Sequence, residues 1–357
     1  MTELLNEDSV RLTAGQLIQQ EVVSLARASV DCQLVAHPES REYFTGDFPL
    51  RCAEDTERVL TALAQALLSG EPWLFESYVI WDKIVLSSLG LRDAYLHDSL
   101  TAMRETLVAR LGSRPARPAA EYIDAAGVLL DAASEELPST PHVIAPLAGV
   151  AVVYLDALLA GDRARALAVI RLAVSDGAVL PDIYEHVFRV AQERVGCLWQ
   201  SNRLSVAMEH YTTGATEAIM SQMNVVKAGL PGTARFLGAC VEGDQHDLAI
   251  RMVCDILQAD GWETVLLGAN TPDHVLFEAI EEFHPDVVGL SATWLFRIDN
   301  VRRVIAHIHD TYRGVKVVVG GAPFDRITGL ADKVGADARG GSLLALPALL
   351  HRLVATN

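Results

Sequence analysis

The chain lacks the features that would place it in several common classes. Its five cysteines (Cys32, Cys52, Cys197, Cys240 and Cys254) form no C-x-x-C pair and no metal-like cluster. Neither a disulfide framework nor a structural zinc site is expected. Lysine and arginine form no run, and 29 of them against 46 acidic residues leave a net charge of −17. A phosphate backbone or an anionic membrane surface would repel such a chain. No apolar stretch approaches the roughly 20 residues that span a bilayer, and the N-terminal MTELLNEDSV has no basic, apolar leader pattern. The phosphate fingerprint G-x-G-x-x-G is absent, and nothing resembles a nucleotide cyclase or a kinase. These absences point to a cytoplasmic protein that is not itself an enzyme, carries reduced thiols, and takes neither nucleic acid nor membrane as partner.

What is present is apolar and ordered. Half of the 357 residues are hydrophobic, enough for two or three domains with sizeable cores. Up to residue 112 the spacing is helical, in TERVLTALAQALL, WLFESYVIWDKIVLSSL and YLHDSLTAMRETLVARL. Prolines in GSRPARPAAEY and ELPSTPHVIAP are expected to break it, with one helical run, EYIDAAGVLLDAASEEL, between them. Residues 1–140 are thus read as an all-α domain.

Residues 145–228 carry four further helical runs, with Gly161 and Gly177 placed to end the first two and Pro181 suited to the first turn of the third. They predict a four-helix bundle. From residue 232 to 357 short β-branched runs (ARFLGACV, ETVLLGA, DVVGLSA, KVVVGGA, DARGG) alternate with amphipathic ones. That rhythm predicts a doubly wound parallel sheet. The fold class is therefore multidomain, α and α/β.

Ligands of such sheets sit beyond the carboxyl ends of the strands, near the point where strand order reverses. Three turns there carry unusual residues: Glu242 to His246, Ser291 to Thr293, and Gly320-Gly321. Read singly, each is ordinary. Asp244 suits a helix cap with His246 solvated beside it, Ser291 suits a strand-end hydrogen bond, and two glycines suit a tight turn. Taken together they suggest a neutral imidazole oriented by a carboxylate, the usual arrangement behind a metal ligand. One histidine cannot hold a bare ion, but it can be the axial ligand of a metal that arrives in its own macrocycle.

At this point the residues resemble a family. GDQHDLA (Gly243–Ala249) is similar to the Asp-x-His-x-x-Gly signature of cobalamin-binding domains, with Ala249 in place of the last glycine. Ser291-Ala-Thr293 and Gly320-Gly321 stand where that family has its Ser-x-Leu and Gly-Gly elements. The resemblance implies a flavodoxin- or Rossmann-like domain in which His246 is the lower axial ligand of cobalt and Asp244 is hydrogen-bonded to it. It further implies that Gln245 lies beside the corrin and that Ser291, Thr293, Gly320 and Gly321 line a groove for the nucleotide tail.

In the preceding helices Trp199 is followed, after nine intervening residues, by Glu209-His210. Alone, these read as a core tryptophan and a solvated helix start. Beside the corrinoid signature, the W-x9-E-H pattern resembles that of light-sensing adenosylcobalamin proteins, in which Trp, Glu and His surround the adenosyl group. Gln200 stands where the resembled light-dependent repressors carry a second cobalt-binding histidine. Residues 1–140 resemble the globin-like helical domain of the photocobilins, which implies a second chromophore, biliverdin, near Tyr78, Trp81, His97 and Arg51, while each of these also suits core or surface. Cys52 is read as a buried thiol rather than an attachment point.

Two functions compete. The leading expectation is a light sensor in which loss of the adenosyl group switches conformation and homo-oligomeric assembly, signalling to a downstream protein partner. The other is the corrinoid carrier of a methyltransferase system, which shares the helical cap and the cobalamin domain.

Overall fold

The computed structural model describes residues 7–43, 48–88, 93–132, 147–200, 203–223 and 234–355. They fall into two compact units, Met1–Pro138 and Ser139–Asn357.

The first unit is helical: α1 Glu7–Ala36, α2 Phe48–Ser69, α3 Pro72–Ser88, α4 Asp93–Leu111 and α5 Ser113–Ala132. The break expected at GSRPARPAAEY comes at its first residue, Gly112, whose φ of 85° separates α4 from α5, while the prolines themselves do not stop α5. Pro115 falls in the first turn of α5, where amide donors have no intrahelical acceptor, and Pro118 lies inside the helix. The lost hydrogen bond is offset by burial of Ala116, Ala119, Ala120 and Ile123 on one face.

Asp82 and Lys83 are buried ionisable groups in this unit, whereas Arg58 is exposed. Arg58 Nη2 donates to Asp55 Oδ1 at 3.1 Å, and Arg58 also hydrogen-bonds Tyr78. Lys83 donates to the Leu130 carbonyl at 2.9 Å, tying α3 to α5. Asp82 is only 2% exposed, and its Oδ2 has no hydrogen-bond partner. Burial, and then the charge of Asp55, push the Asp82 carboxyl well above the usual carboxylate range.

The second unit begins with the cap: α6 Ala148–Leu159, α7 Arg163–Ser175, α8 Leu180–Ile183, a π-turn Tyr184–Phe188, α9 Arg189–Gln200 and α10 Val206–Met223. Gly161 and Gly177 take positive φ of 74° and 100° and end α6 and α7, as their placement predicts. Pro181 sits in the first turn of α8, and Ser205 accepts the Met208 amide at the start of α10 at 3.2 Å. The π-turn interrupts what the sequence presents as one helical run.

The sheet domain follows: β1 Arg235–Cys240, α11 Leu248–Asp260, β2 Glu263–Gly268, α12 Asp273–Phe283, β3 Val287–Ser291, α13 Ile298–Thr311, β4 Lys316–Gly320, α14 Ala322–Arg326, α15 Leu330–Lys333, β5 Ala338–Arg339 and α16 Leu346–Ala355. All described pairings are parallel, in the order β2-β1-β3-β4-β5. Strand order therefore reverses between β1 and β3, and Cys240, Ser291 and Gly320 lie in one row at the carboxyl edge.

The cap is seated on this domain through α11. Met252, Ile256 and Leu343 join the apolar core formed by Tyr154, Ile170, Tyr184, Phe188 and Ile219. Two polar contacts flank that seat, and both come from the π-turn. The Tyr184 hydroxyl donates to Asp255 Oδ2 at 2.7 Å, and Glu185 Oε2 accepts the Leu343 amide at 2.7 Å. The same Glu185 pairs with Arg189 at 3.0 Å.

Two outcomes follow from these buried polar groups. Glu185→Ala leaves the Leu343 amide without its acceptor and should cost about 1–3 kcal/mol in urea unfolding. Asp82→Asn tests the raised carboxyl: stability conferred by a buried neutral acid is full below its unfolded pKa of about 3.9 and is lost as pH rises toward the folded value. Thermal unfolding should therefore place the variant near wild type at pH 4 and increasingly above it toward pH 8.

Candidate functional site

The turn between β1 and α11 is built around a buried carboxylate. Asp244 is 0% exposed and accepts three hydrogen bonds. Its Oδ1 takes the His246 ring Nδ1 at 2.8 Å and the His246 amide at 3.0 Å, and its Oδ2 takes the Thr293 amide. Burial raises the carboxyl pKa, but these hydrogen bonds outweigh it and hold the group below the usual range.

Asp244 is therefore not the helix cap that its position also allowed. Asp247 occupies the N-cap position of α11, with no side-chain cap bond, and the carboxylate of Asp244 turns back onto His246. Asp244 also raises the His246 pKa, by hydrogen bonding first and by charge second, and Glu209 adds to the effect. Glu209 of the cap is thus near enough for its charge to be felt at the imidazole. The His246 side chain is 53% exposed. With Nδ1 engaged by Asp244, Nε2 keeps its lone pair for an outside acceptor.

The neighbouring loops brace this turn. Gly243 (φ 81°) donates to Asn270 Oδ1 at 2.6 Å, and Asn270 donates its own amide to the Asp244 carbonyl at 2.7 Å. From the loop after β3, the Trp294 ring stands edge-on to His246, with centroids 5.8 Å apart at 71°, and the Arg297 guanidinium lies over Gly243. Trp294, Asn270 and Arg297 carry no local sequence signal. Only the convergence of three loops brings them to the histidine.

Ser291 is buried at the end of β3. Its carbonyl accepts the Val241 amide at 3.1 Å, and its hydroxyl meets the Cys240 thiol. Thr293 contributes its amide rather than its hydroxyl, so that contact does not depend on the side chain at 293. Gly321 has φ 106°, and a Cβ there would fall 2.1 Å from the Ala292 carbonyl oxygen, which excludes any side chain. Gly320 differs: a Cβ would find nothing closer than the Gly340 oxygen at 3.9 Å, leaving open space above the strand end. Gln245 and Ala249 are exposed.

In the cap, Trp199 is 37% exposed at the end of α9; the side chain of the adjoining Gln200 lies outside the described residues. Glu209 is held by the Thr213 hydroxyl at 3.1 Å and by His210 Nδ1 at 2.9 Å, and Thr213 in turn reaches Gln192 at 3.4 Å. His210 itself lines an open groove of about 470 Å³ with Arg163, Tyr211, Gly214 and Ala215.

Of the four residues expected near a bilin, Tyr78 is buried (3%) with its ring 5.5 Å from that of Trp81. His97 is half-buried in α4, and the side chain of Arg51 lies outside the described residues. The five cysteines are free. No group of three or more potential metal ligands occurs among the described residues, and no described helix is long and apolar enough to cross a membrane. A site with one unengaged imidazole nitrogen fits a metal that brings its other ligands with it.

Comparison with known proteins agrees with that chemistry. Two family models, each described as a B12 binding domain, match residues 234–350 and 152–223. Dimethylamine corrinoid protein 3 of Methanosarcina acetivorans is 30% identical over 190 residues, covering 51% of this chain and 86% of that one. Dimethylamine corrinoid protein 2 of the same organism is 29% identical over 192 residues, covering 51% and 85%. Among solved structures, the monomethylamine corrinoid protein of Methanosarcina barkeri aligns with a TM-score of 0.50 at 20% identity, over 59% of this chain and 100% of that one; the likeness establishes the shared fold of cap and sheet.

These relatives overturn the expectation of a light sensor with light-dependent homo-oligomeric assembly, because what the cap and sheet share with them is shared with methylamine corrinoid proteins. A corrinoid is what the relatives' names and the two B12 binding domains support. The adenosyl form of the cofactor and biliverdin gain nothing from them, and neither family model reaches into the first unit.

The Asp244–His246 pair makes a pH-dependent contribution. The lowered carboxylate stabilises the fold above its unfolded pKa, and the raised imidazole stabilises it below its own, so the pair contributes most between about pH 4 and about pH 6.5. Asp244→Asn, which sets an amide donor against one of the two N–H groups or the ring, should lower stability by about 1–3 kcal/mol in that window. Histidine NMR of the cofactor-free protein should show the His246 titration moved down.

Proposed function

The chain belongs to the B12-binding corrinoid proteins, and from that premise we propose that it is a cytoplasmic corrinoid carrier for methyl transfer, working with a separate methyltransferase. The observation that carries the reading is the His246 imidazole, held through Nδ1 by buried Asp244 while the side chain is half exposed and Nε2 is left for a metal. When bound, the corrinoid supplies a cobalt that accepts and gives up a methyl group.

The protein's part is to hold and orient. Asp244 keeps the proton on Nδ1 and so fixes the tautomer that offers the Nε2 lone pair to the metal. The Thr293 and His246 amides keep that carboxylate charged and in place. The open space above Gly320, beside Ser291 and Gly321, suits the displaced nucleotide tail. In the cap, the partly exposed Trp199 and the Thr213-anchored Glu209, whose charge is felt at His246, are suited to cover the corrinoid and exclude water. His210 is better suited to the surface that meets the partner, since it lies in an open groove.

The test is reconstitution with methylcobalamin in the dark. His246→Ala should weaken corrinoid binding tenfold or more and change its absorption spectrum. The wild-type holoprotein should lose its methyl group to a thiol when a corrinoid-dependent methyltransferase is added. A wild-type spectrum identical to that of free methylcobalamin at saturating protein would show the reading to be wrong.

A further inference from the structure

A single ring hydrogen bond from His246 Nδ1 to Asp244 Oδ1 fixes one point of the imidazole and leaves the ring free to rock about that axis. The side chain is 53% exposed, so no packed core stops the motion. A metal ligand needs its lone pair aimed, and aiming a planar ring takes a second contact away from the hydrogen-bond axis. The structure supplies one. Trp294 stands edge-on to the ring at a centroid distance of 5.8 Å and an interplanar angle of 71°, a favourable aromatic geometry.

The indole is itself well placed to serve as a wall. It follows Thr293, whose amide holds Asp244, and precedes Arg297, whose guanidinium lies over Gly243 at the start of the same turn. One short loop after β3 therefore touches the His246 turn at the carboxylate, the imidazole and the backbone. Register between β1 and β3, with Cys240 opposite Ser291, fixes the two loops against each other. We infer that Trp294 is a positioning residue for the axial ligand: its ring confines the plane of His246 so that Nε2 is aimed before the corrinoid arrives. The inference rests on His246 being that ligand.

Nitrogen ligation to cobalt can be read without any activity assay. In the electron paramagnetic resonance spectrum of protein labelled with 15N-histidine, loaded with hydroxocobalamin and reduced to cobalt(II), a coordinated histidine nitrogen splits each cobalt line into two, whereas the cofactor's own 14N base gives three, and loss of the histidine removes the two-line splitting. Wild-type protein should show the splitting and His246→Ala should not. Trp294→Ala should lower the ratio of histidine-bound to histidine-free cobalt about tenfold, whereas Trp294→Phe, which keeps an aromatic wall, should stay within about twofold of wild type. Far-UV circular dichroism confirms folding; should the alanine variant prove unstable, Trp294→Met fills the space without a rigid plane, and the same loss is expected.

A Trp294→Ala (or Trp294→Met) ratio within twofold of wild type, with His246→Ala lacking the splitting, overturns the role of Trp294 while leaving the corrinoid reading intact. Equal losses in the alanine and phenylalanine variants overturn it as well. Absence of the splitting from wild type would instead count against His246 as the ligand.

Discussion

The site depends on one buried carboxylate. Asp244 has no access to solvent, yet it stays ionised because two main-chain amides and an imidazole point at it. A charge in that position would be costly if it were unpaired. Here the same three bonds that remove the cost define the turn, fix the imidazole tautomer and join β1 to the loop after β3. The histidine is consequently half in solvent but chemically committed, with one nitrogen engaged and the other offered outward.

That arrangement needs the topology of the sheet. Strand order reverses between β1 and β3, so their loops leave the carboxyl edge in different directions and open a crevice. The Thr293 amide reaches Asp244 only because the strands are parallel and in the register that sets Cys240 beside Ser291. The cap closes on the same crevice from above, seated by Met252 and Ile256 of α11 and by the Tyr184–Asp255 and Glu185–Leu343 bonds. Both bonds come from a π-turn, a distortion that recurs at functional sites. Its extra residue re-aims Tyr184 and Glu185 toward the sheet domain.

Legibility varied with the range of the interaction responsible. Alternating β-branched and amphipathic runs announced the parallel sheet, and glycine and serine in the right places announced the ends of the cap helices. Asp244 and His246 were legible because two residues in one turn make the contact. The break before α5 falls in the expected stretch, but at Gly112 rather than at a proline, since the burial of Ala116, Ala119 and Ala120 that carries the helix past Pro118 is tertiary. The tryptophan followed by Glu-His suggested a light sensor, but the spacing is local and says nothing of what the upper face carries; the relatives are methylamine corrinoid proteins, and His210 lies in a groove of its own. Trp294 was passed over, because a tryptophan after a strand has no pattern that distinguishes a wall for a histidine from ordinary packing.

What the sequence by itself determined is therefore the periodicity, and with it the helical unit, the cap, the doubly wound sheet and the turn holding Asp244 and His246. Those features come from contacts within a few residues, where spacing and side-chain chemistry are enough. Only the tertiary structure decided that Thr293 grips the carboxylate through its backbone, that Trp294 flanks the imidazole, and that the cap rests on α11 beside a π-turn. Each of these joins segments tens of residues apart, and such meetings are set by strand register and helix packing, which single-chain patterns do not encode position by position.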